Sequence, residues 1–253
     1  MRELFTPKIK YLLHLADNAL ILAQRNSAWC GHGPILEQDI ALTNITLDHL
    51  GQARLLYQYT AELIGSGETE DSLAYLRDPM DYLNVQLVEL PNGDWGQTIL
   101  RVFFFSNYQS ALYKKLQHSG DTTVAAIAAK SLKEVSYHLR WSSEWVIRLG
   151  DGTPESRQRM LAALDYLWPY TGEMFEPADF EKIAAAEGLG INPTELINDW
   201  DQTLQKVFTE AGLPIPEKNW MHSGGKKGVH TEHLGYVLAE MQYLQRTYPG
   251  SNW

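Results

Sequence analysis

Four long stretches of this chain carry helical periodicity, and residues that start or stop helices bound each of them. No run of alternating β-branched residues between hairpin turns interrupts them. Helices of this length suit a long bundle better than a globin-like packing of short helices. The sequence therefore predicts an all-α fold, a long four-helix bundle, with these members: Thr6-Pro7 through Ala23, Glu37 to about Ile64, Trp95 to about His118, and Thr122 to about Leu149.

Additional helices are predicted towards the C-terminus. Thr153 and Pro154 can cap and open one, and Asn192-Pro193-Thr194-Glu195 is typical of a capping box before a helix that reaches about Glu210. The stretch from Leu213 to Val229 is predicted to be a loop, and a last helix to run from about Thr231 to Arg246. No internal repeat or low-complexity linker divides the chain, so we predict a single helical domain over residues 1–253.

Composition excludes several classes of protein. A formal net charge of −10 argues against a nucleic acid or an anionic membrane as partner, because both require clustered positive charge. A single cysteine, Cys30, excludes an intramolecular disulfide, and the N-terminus lacks the apolar core of a signal peptide. No stretch approaches the roughly 20 apolar residues of a spanning helix. We expect a soluble, cytoplasmic protein. Its eight tryptophans indicate tight packing in a core or a permanent interface.

Long four-helix bundles often hold a di-iron site, which has a recognisable ligand pattern. Such a site takes a Glu from each of two helices and a Glu-x-x-His from each of the other two. The first helix offers Asp17 on its apolar side, and the second offers Asp48. The fourth offers Glu134 and His138, one turn apart and beside an apolar seam. These four residues are the candidate ligands.

The ligand set is incomplete. None of the eight histidines has Glu or Asp three residues before it, so the chain has no Glu-x-x-His. Asp94 and Asp121 bracket the third helix, and no carboxylate side chain lies between them. A di-iron centre needs anionic oxygen ligands to balance its charge. We therefore interpret the candidate ligands as a remnant polar layer of the core, in which Glu134 and His138 can pair, or as solvent-facing residues. A partial or adventitious metal site is the alternative.

Two further groups near the C-terminus are candidate sites. His230 and His233 stand at helical spacing and are weak metal candidates, with no third ligand evident. Lys226 and Lys227 lie in a glycine-rich segment that does not match a P-loop. They are candidates for contact with a partner or with the phosphate groups of coenzyme A, and a solvated loop is the alternative. Cys30 has no feature of a nucleophile.

The chain resembles, over nearly its whole length, the structural subunits of bacterial ring-1,2-phenylacetyl-CoA epoxidases. Long and unusual strings carry the resemblance: Trp29-Cys30-Gly31-His32-Gly33-Pro34, Leu47-Asp48, Leu50-Gly51-Gln52-Ala53-Arg54, Pro91-Asn92-Gly93, Lys133-Glu134, Tyr137-His138-Leu139-Arg140, Gly224-Gly225-Lys226-Lys227-Gly228, His230-Thr231-Glu232-His233-Leu234-Gly235, Leu238-Ala239-Glu240-Met241-Gln242-Tyr243-Leu244-Gln245-Arg246 and Trp253.

The resemblance implies a ferritin-like fold and a place in a multicomponent oxygenase. In that family a homologous catalytic subunit carries the di-iron site and binds the CoA ester, a reductase brings electrons from NADPH, and a small further subunit is required. The complex inserts one oxygen atom of O₂ into the aromatic ring of phenylacetyl-CoA. The chain is then expected to be a non-catalytic companion, without a cofactor of its own, that forms a heteromer with the catalytic subunit.

Two other functions stay open on the sequence alone. One is a self-sufficient di-metal oxidase or oxygenase with non-standard ligands, and the other is a helical module that binds an acyl-CoA. If the chain is the companion subunit, we expect surplus Trp and Tyr side chains to serve partly as interface anchors. We also expect the helices that flank the second and third long helices to bury against the catalytic subunit.

Overall fold

The computed structural model describes residues 5–217 and 220–251. Within these ranges the chain forms helices and no strand, so the predicted all-α class is confirmed. The α-helices in this part of the chain are α1 (Pro7–Ser27), α2 (Leu36–Ile64), α3 (Glu70–Tyr75), α4 (Gln86–Glu89), α5 (Trp95–Leu116), α6 (Thr122–Gly150), α7 (Pro154–Leu167), α8 (Asp179–Ala186), α9 (Ile197–Ala211) and α10 (Glu232–Thr247).

Side-chain caps begin the helices where the sequence predicts them. The hydroxyl of Thr6 accepts a hydrogen bond from the backbone N–H of Ile9, and the carboxylate of Asp94 accepts one from that of Gln97 at 2.9 Å. Asp121 and Thr153 cap α6 and α7 in the same way. Each cap satisfies an N–H group that has no partner inside the helix. The four long helices and the last helix, α10, agree with the predicted bounds to within a few residues.

The helix predicted to begin at Asn192 starts differently. Asn192 accepts from the backbone N–H of Thr194, but the reciprocal bond from Glu195 that completes a capping box is absent from the described structure. A turn of 3-10 helix spans Pro193–Leu196 instead, and α9 begins at Ile197. The tighter turn satisfies the first backbone groups before the α-helix is established. The prediction of a capping box was wrong, and the predicted helix end at about Glu210 is confirmed.

Close contacts divide the chain into two compact units. The first unit comprises residues 1–91 and 224–253, and the second comprises residues 92–223. The described parts of the first unit contain α1 to α4 and α10, and those of the second contain α5 to α9. The single domain proposed from the sequence stays a prediction.

In the first unit, α1 is the central element. Every residue of α1 from Tyr11 to Ala23 is buried, whereas α2 buries one face against α1 and leaves another exposed. A helix that is buried on all sides over this length lies inside a core rather than at its surface. α10 returns from the C-terminal part of the chain and contacts α1, α3 and α4. The C-terminal segment is therefore an integral part of this unit.

In the second unit, α5 is the central element. Its residues from Thr98 to Tyr113 are all buried, and it packs against α6, α7 and α9. Large rings fill the space between α5 and the helices after it, with centroids 5.2–6.1 Å apart, as edge and tilted aromatic pairs prefer; they are Phe103, Phe104, Trp168, Phe175, Trp200 and Phe208. Two tryptophans thus act as core residues, as the composition suggested.

Candidate functional site

Asp17, a candidate ligand, lies on α1 with no exposed surface and is held by three groups of the first unit. The Tyr57 hydroxyl of α2 donates to Oδ1 at 2.6 Å, and the backbone N–H of Leu83 donates to Oδ2 at 2.8 Å. Arg77, which follows α3, donates from Nη1 to Oδ2 at 3.1 Å and from Nη2 to Oδ1. This is a bidentate ion pair between side chains that are both essentially buried.

Arg77 is itself fully engaged. Its Nε donates to the carbonyl of Leu73, its Nη1 to that of Asp81 at 3.0 Å, and its guanidinium lies 4.2 Å from the centre of the Tyr82 ring. Burial alone would lower the pKa of Arg77, but the charge and hydrogen bonds of Asp17, together with the influence of Tyr57 and Tyr82, outweigh burial and raise that pKa. Burial also raises the pKa of Tyr57 well above its usual value, and the neighbouring Asp17 charge raises it further. The group is therefore a carboxylate and a guanidinium with neutral tyrosines around them.

The hydrogen-bonding capacity and the charge of Asp17 are taken up within the first unit. Both carboxylate oxygens already accept hydrogen bonds from a cation and from neutral donors, so the negative charge that a metal would require is compensated by Arg77. Asp17 therefore lies in a buried polar group with Tyr57 and Arg77, and the remnant polar layer stays a prediction.

The other three candidate ligands have different surroundings. Asp48 is half-buried on α2. Glu134 is also half-buried on α6, and its Oε1 accepts from Lys130 Nζ at 2.8 Å, one helical turn earlier. His138 is completely buried on the same helix. The predicted seam beside them is confirmed, since Val124, Ala128, Val135, Ser142 and Val146 are all buried.

A second polar group lies between α5 and α6. The buried Tyr113 hydroxyl of α5 lies close to Gln109 of the same helix and to Ser131 of α6, and Glu134 is near enough to influence its pKa. Burial raises the pKa of Tyr113, with the Glu134 charge adding to the effect. The third long helix therefore contributes amide and phenol groups here, whereas a di-iron site would require a carboxylate.

His230 belongs to a buried cluster with Glu89. Its Nδ1 is 2.8 Å from Glu89 Oε2, and its Nε2 is 3.0 Å from the carbonyl oxygen of Tyr82. Glu89 also accepts from Asn84 Nδ2 at 2.8 Å and from the backbone N–H of Thr231 at 2.6 Å. The two ring nitrogens of His230 thus attach the segment before α10 to α4, through Glu89, and to the segment that precedes α4, through Tyr82.

The remaining C-terminal candidates differ in how far they are exposed. His233 is half-buried, and its backbone carbonyl accepts from Arg25 Nη2 at 3.1 Å. Lys226 is only 5% exposed, whereas Lys227 is exposed; both belong to a turn of 3-10 helix, Gly225–Lys227. Of the two lysines, only Lys227 is presented on the surface. Cys30 is exposed.

The candidate ligands do not fit a di-iron centre. Across residues 5–217 and 220–251, no group of three or more His, Cys, Asp and Glu side chains is arranged to hold a metal ion. Asp17 is compensated by Arg77, and Glu134 is bonded to Lys130. The same part of the chain also contains no helix that is long and apolar enough to cross a membrane.

Sequence reasoning missed Arg77 and Glu89. Arg77 lies sixty residues from Asp17, and Glu89 lies 141 residues from His230. Neither residue has a spacing that relates it to its partner, because contacts between separate elements leave no period in the sequence. The only available signal was that buried charges require partners, which predicts a pair without naming its second member.

The fold and the site define a class: an all-α protein in which two of the candidate ligands, Asp17 and Glu134, form ion pairs with Arg77 and Lys130. The chain matches the family model described as "Phenylacetic acid catabolic protein" over residues 2–253, and it belongs to that family. It is similar to a protein of Escherichia coli (strain K12) that is named as one subunit of 1,2-phenylacetyl-CoA epoxidase, with 47% identity over 243 residues, 96% of this chain and 98% of that protein.

A solved structure shows a weaker similarity. "Protein 19 with aldehyde deformylating oxidase activity from Synechococcus" shares 14% identity, with a TM-score of 0.49 over 82% of this chain and 88% of that one. The relationship to phenylacetate catabolism therefore depends on the family and on the Escherichia coli relative.

Proposed function

We propose that this chain is a non-catalytic structural subunit of a multicomponent di-iron oxygenase that epoxidises the aromatic ring of phenylacetyl-CoA in phenylacetate degradation. It pairs with a homologous catalytic subunit. The observation that carries this proposal is the 47% identity, over nearly the whole of both chains, to a protein named as one subunit of that epoxidase. Such a name implies partner subunits.

The site geometry supports the non-catalytic part of the proposal. In this chain the buried carboxylate of Asp17 is paired with Arg77, a permanent cation. A metal at Asp17 would have to displace the guanidinium from a fully buried position, leaving one more uncompensated charge. We assign the di-iron centre to the catalytic subunit and the supply of electrons from NADPH to the reductase, with no cofactor in this chain.

Co-expression with the catalytic subunit tests the pairing. The two chains are expected to elute together as a heteromer on size-exclusion chromatography, and epoxidation of phenylacetyl-CoA by the reconstituted system is expected to depend on this chain. An isolated chain that stays a monomer in the presence of the catalytic subunit, with unchanged epoxidase activity, would contradict the proposal.

Iron analysis tests the alternative of a self-sufficient di-metal enzyme. The chain purified alone, after anaerobic reconstitution with Fe(II) and removal of excess iron, is expected to retain far less than one iron per chain. Stoichiometric iron, about two per chain as in di-iron carboxylate proteins, would favour the self-sufficient enzyme instead.

Calorimetry tests the alternative of an acyl-CoA-binding module. Titration of phenylacetyl-CoA into the isolated chain is expected to give no heat of binding. If heat is observed in the wild type and lost in a Lys226→Ala/Lys227→Ala variant, the module is supported. The single Lys227→Ala variant should be titrated as well. Lys227 is exposed whereas Lys226 is buried, so this substitution disturbs the fold less than the double one.

A further inference from the structure

The outer face of α2 exposes large aliphatic side chains in a regular row. Leu36 is 72% exposed, Ile40 52% and Leu47 58%. The spacings of four and seven residues place all three on one side of the helix, away from the side that packs against α1. Single exposed aliphatic residues are common, but a row along one helix face is typical of an interaction surface.

Gly51 lies on the same face, four residues after Leu47 and in the interior of α2. Glycine destabilises a helix interior relative to alanine, so its presence there calls for a steric reason. Residues 5–217 and 220–251 supply no such reason, because a Cβ added at Gly51 would meet none of their atoms within 4 Å. The exposed aliphatic row and Gly51 together indicate that a helix of another chain packs closely against this face.

The acidic residues beside this row indicate what kind of chain binds there. Glu37 and Asp48, three helical turns apart, lie along one edge of the row. Two copies of a chain with a net charge of −10 repel each other, and placing the acidic edges together would add to that repulsion. A different protein with basic residues beside an apolar helix is the complementary partner.

We propose that the α2 face, defined by Leu36, Ile40, Leu47 and Gly51, is the docking site for a helix of the catalytic subunit, apolar at its centre and basic along its edge. This inference rests on the proposed function, because it names the surface through which the two subunits pair. Gly51 sets how closely the two helices approach, and the aliphatic side chains are buried on assembly.

A Gly51→Leu variant tests the proposal. The added side chain has free space in the isolated chain but occupies the position of the partner helix. Binding to the purified catalytic subunit, measured by biolayer interferometry, is expected to weaken at least tenfold. The thermal midpoint of the isolated variant, followed by circular dichroism, is expected to be equal to or above that of the wild type.

Gly235→Leu is the matched control. Gly235 also lies in a helix, α10, and a Cβ added there would also meet no atom within 4 Å. This variant is expected to bind the catalytic subunit as the wild type does. Ile40→Ser is a second test of the same face that adds no bulk, and it is expected to weaken binding as well.

The outcomes separate the two proposals. If the wild-type chain does not bind the catalytic subunit, the proposed function is overturned. If the wild type binds and both Gly51→Leu and Ile40→Ser bind equally well, only the assignment of the α2 face is overturned. If the wild-type chain forms a dimer by analytical ultracentrifugation that Gly51→Leu dissociates, the face belongs to a second copy, and the assignment to the catalytic subunit is wrong.

Discussion

Arg77 and Asp17, sixty residues apart, form a bidentate ion pair in which both side chains are essentially removed from solvent. The pair joins the centre of α1 to the segment after α3, and Tyr57 adds a bond from α2. A buried ion pair that joins separate helices is expected to contribute to stability, and that contribution can be measured.

Loss of Arg77 is expected to destabilise the protein strongly. In Arg77→Met the carboxylate of Asp17 stays buried without its cation, which costs about 3–5 kcal/mol in comparable buried pairs. Urea denaturation should show the loss as a lower midpoint. Arg54→Met is the control, since its ion pair with Glu70 is 69% exposed on the arginine side and should contribute at most about 1 kcal/mol.

A double variant, Asp17→Leu/Arg77→Leu, extends this experiment. Removing both charges leaves no uncompensated ion, so the loss of stability should be clearly smaller than for Arg77→Met. If the double variant is less stable than the single one, the pair does not act as a coupled unit.

Loss of His230 is expected to loosen the C-terminal helix. In His230→Leu the buried Glu89 loses one of its hydrogen-bonding partners, and the expected cost is about 3 kcal/mol, in the range of a broken buried pair. Hydrogen exchange of the α10 amides should become faster. His233→Leu, at a half-buried side chain in the same turn, is the control and should change exchange much less. Equal effects of the two substitutions would contradict a special role for the Glu89 contact.

Stability is expected to fall at high pH because of buried tyrosines. Burial, together with the Asp17 charge and against that of Arg77, raises the pKa of Tyr82 to about 12, whereas the unfolded chain has the usual value of 10. The stabilisation is therefore complete below pH 10 and is lost between pH 10 and about 12, amounting to roughly 3 kcal/mol at most. Tyr57 and Tyr113 shift in the same direction.

Urea midpoints measured from pH 8 to pH 11 check this sign. The Tyr82→Phe variant removes one of the titrating groups and should flatten the decline. Tyr243→Phe, at an exposed tyrosine, is the control and should reproduce the wild-type profile. A decline as steep in Tyr82→Phe as in the wild type would exclude Tyr82 as a contributor.

Two glycine-to-alanine substitutions are expected to act in opposite directions. At Gly150, the last residue of α6, a Cβ would lie 2.6 Å from the carbonyl oxygen of Ala211, so Gly150→Ala should destabilise by about 1–3 kcal/mol through overpacking. At Gly51 the space is open, so Gly51→Ala should stabilise the isolated chain by up to about 1 kcal/mol. Thermal denaturation of both variants measures the difference, and the same sign for both would contradict the packing argument.

Local features of this chain were predictable and long-range ones were not. The caps at Asp94 and Thr153 were correct because each involves residues three positions apart. The capping box at Asn192 was wrong because the choice between a 3-10 and an α turn there depends on the surrounding packing. The sequence did not identify Arg77 as the partner of Asp17, because no local spacing relates these two residues.

The sequence by itself determined the all-α class, the bounds of the long helices and the absence of a Glu-x-x-His pattern, because all three depend on residues within a few turns of one another. Only the tertiary structure decided that Asp17 is neutralised by Arg77, that His230 is bonded to Glu89, and that the row from Leu36 to Leu47 stays exposed. These facts depend on which distant elements pack together, and burial then determines which charges must be paired.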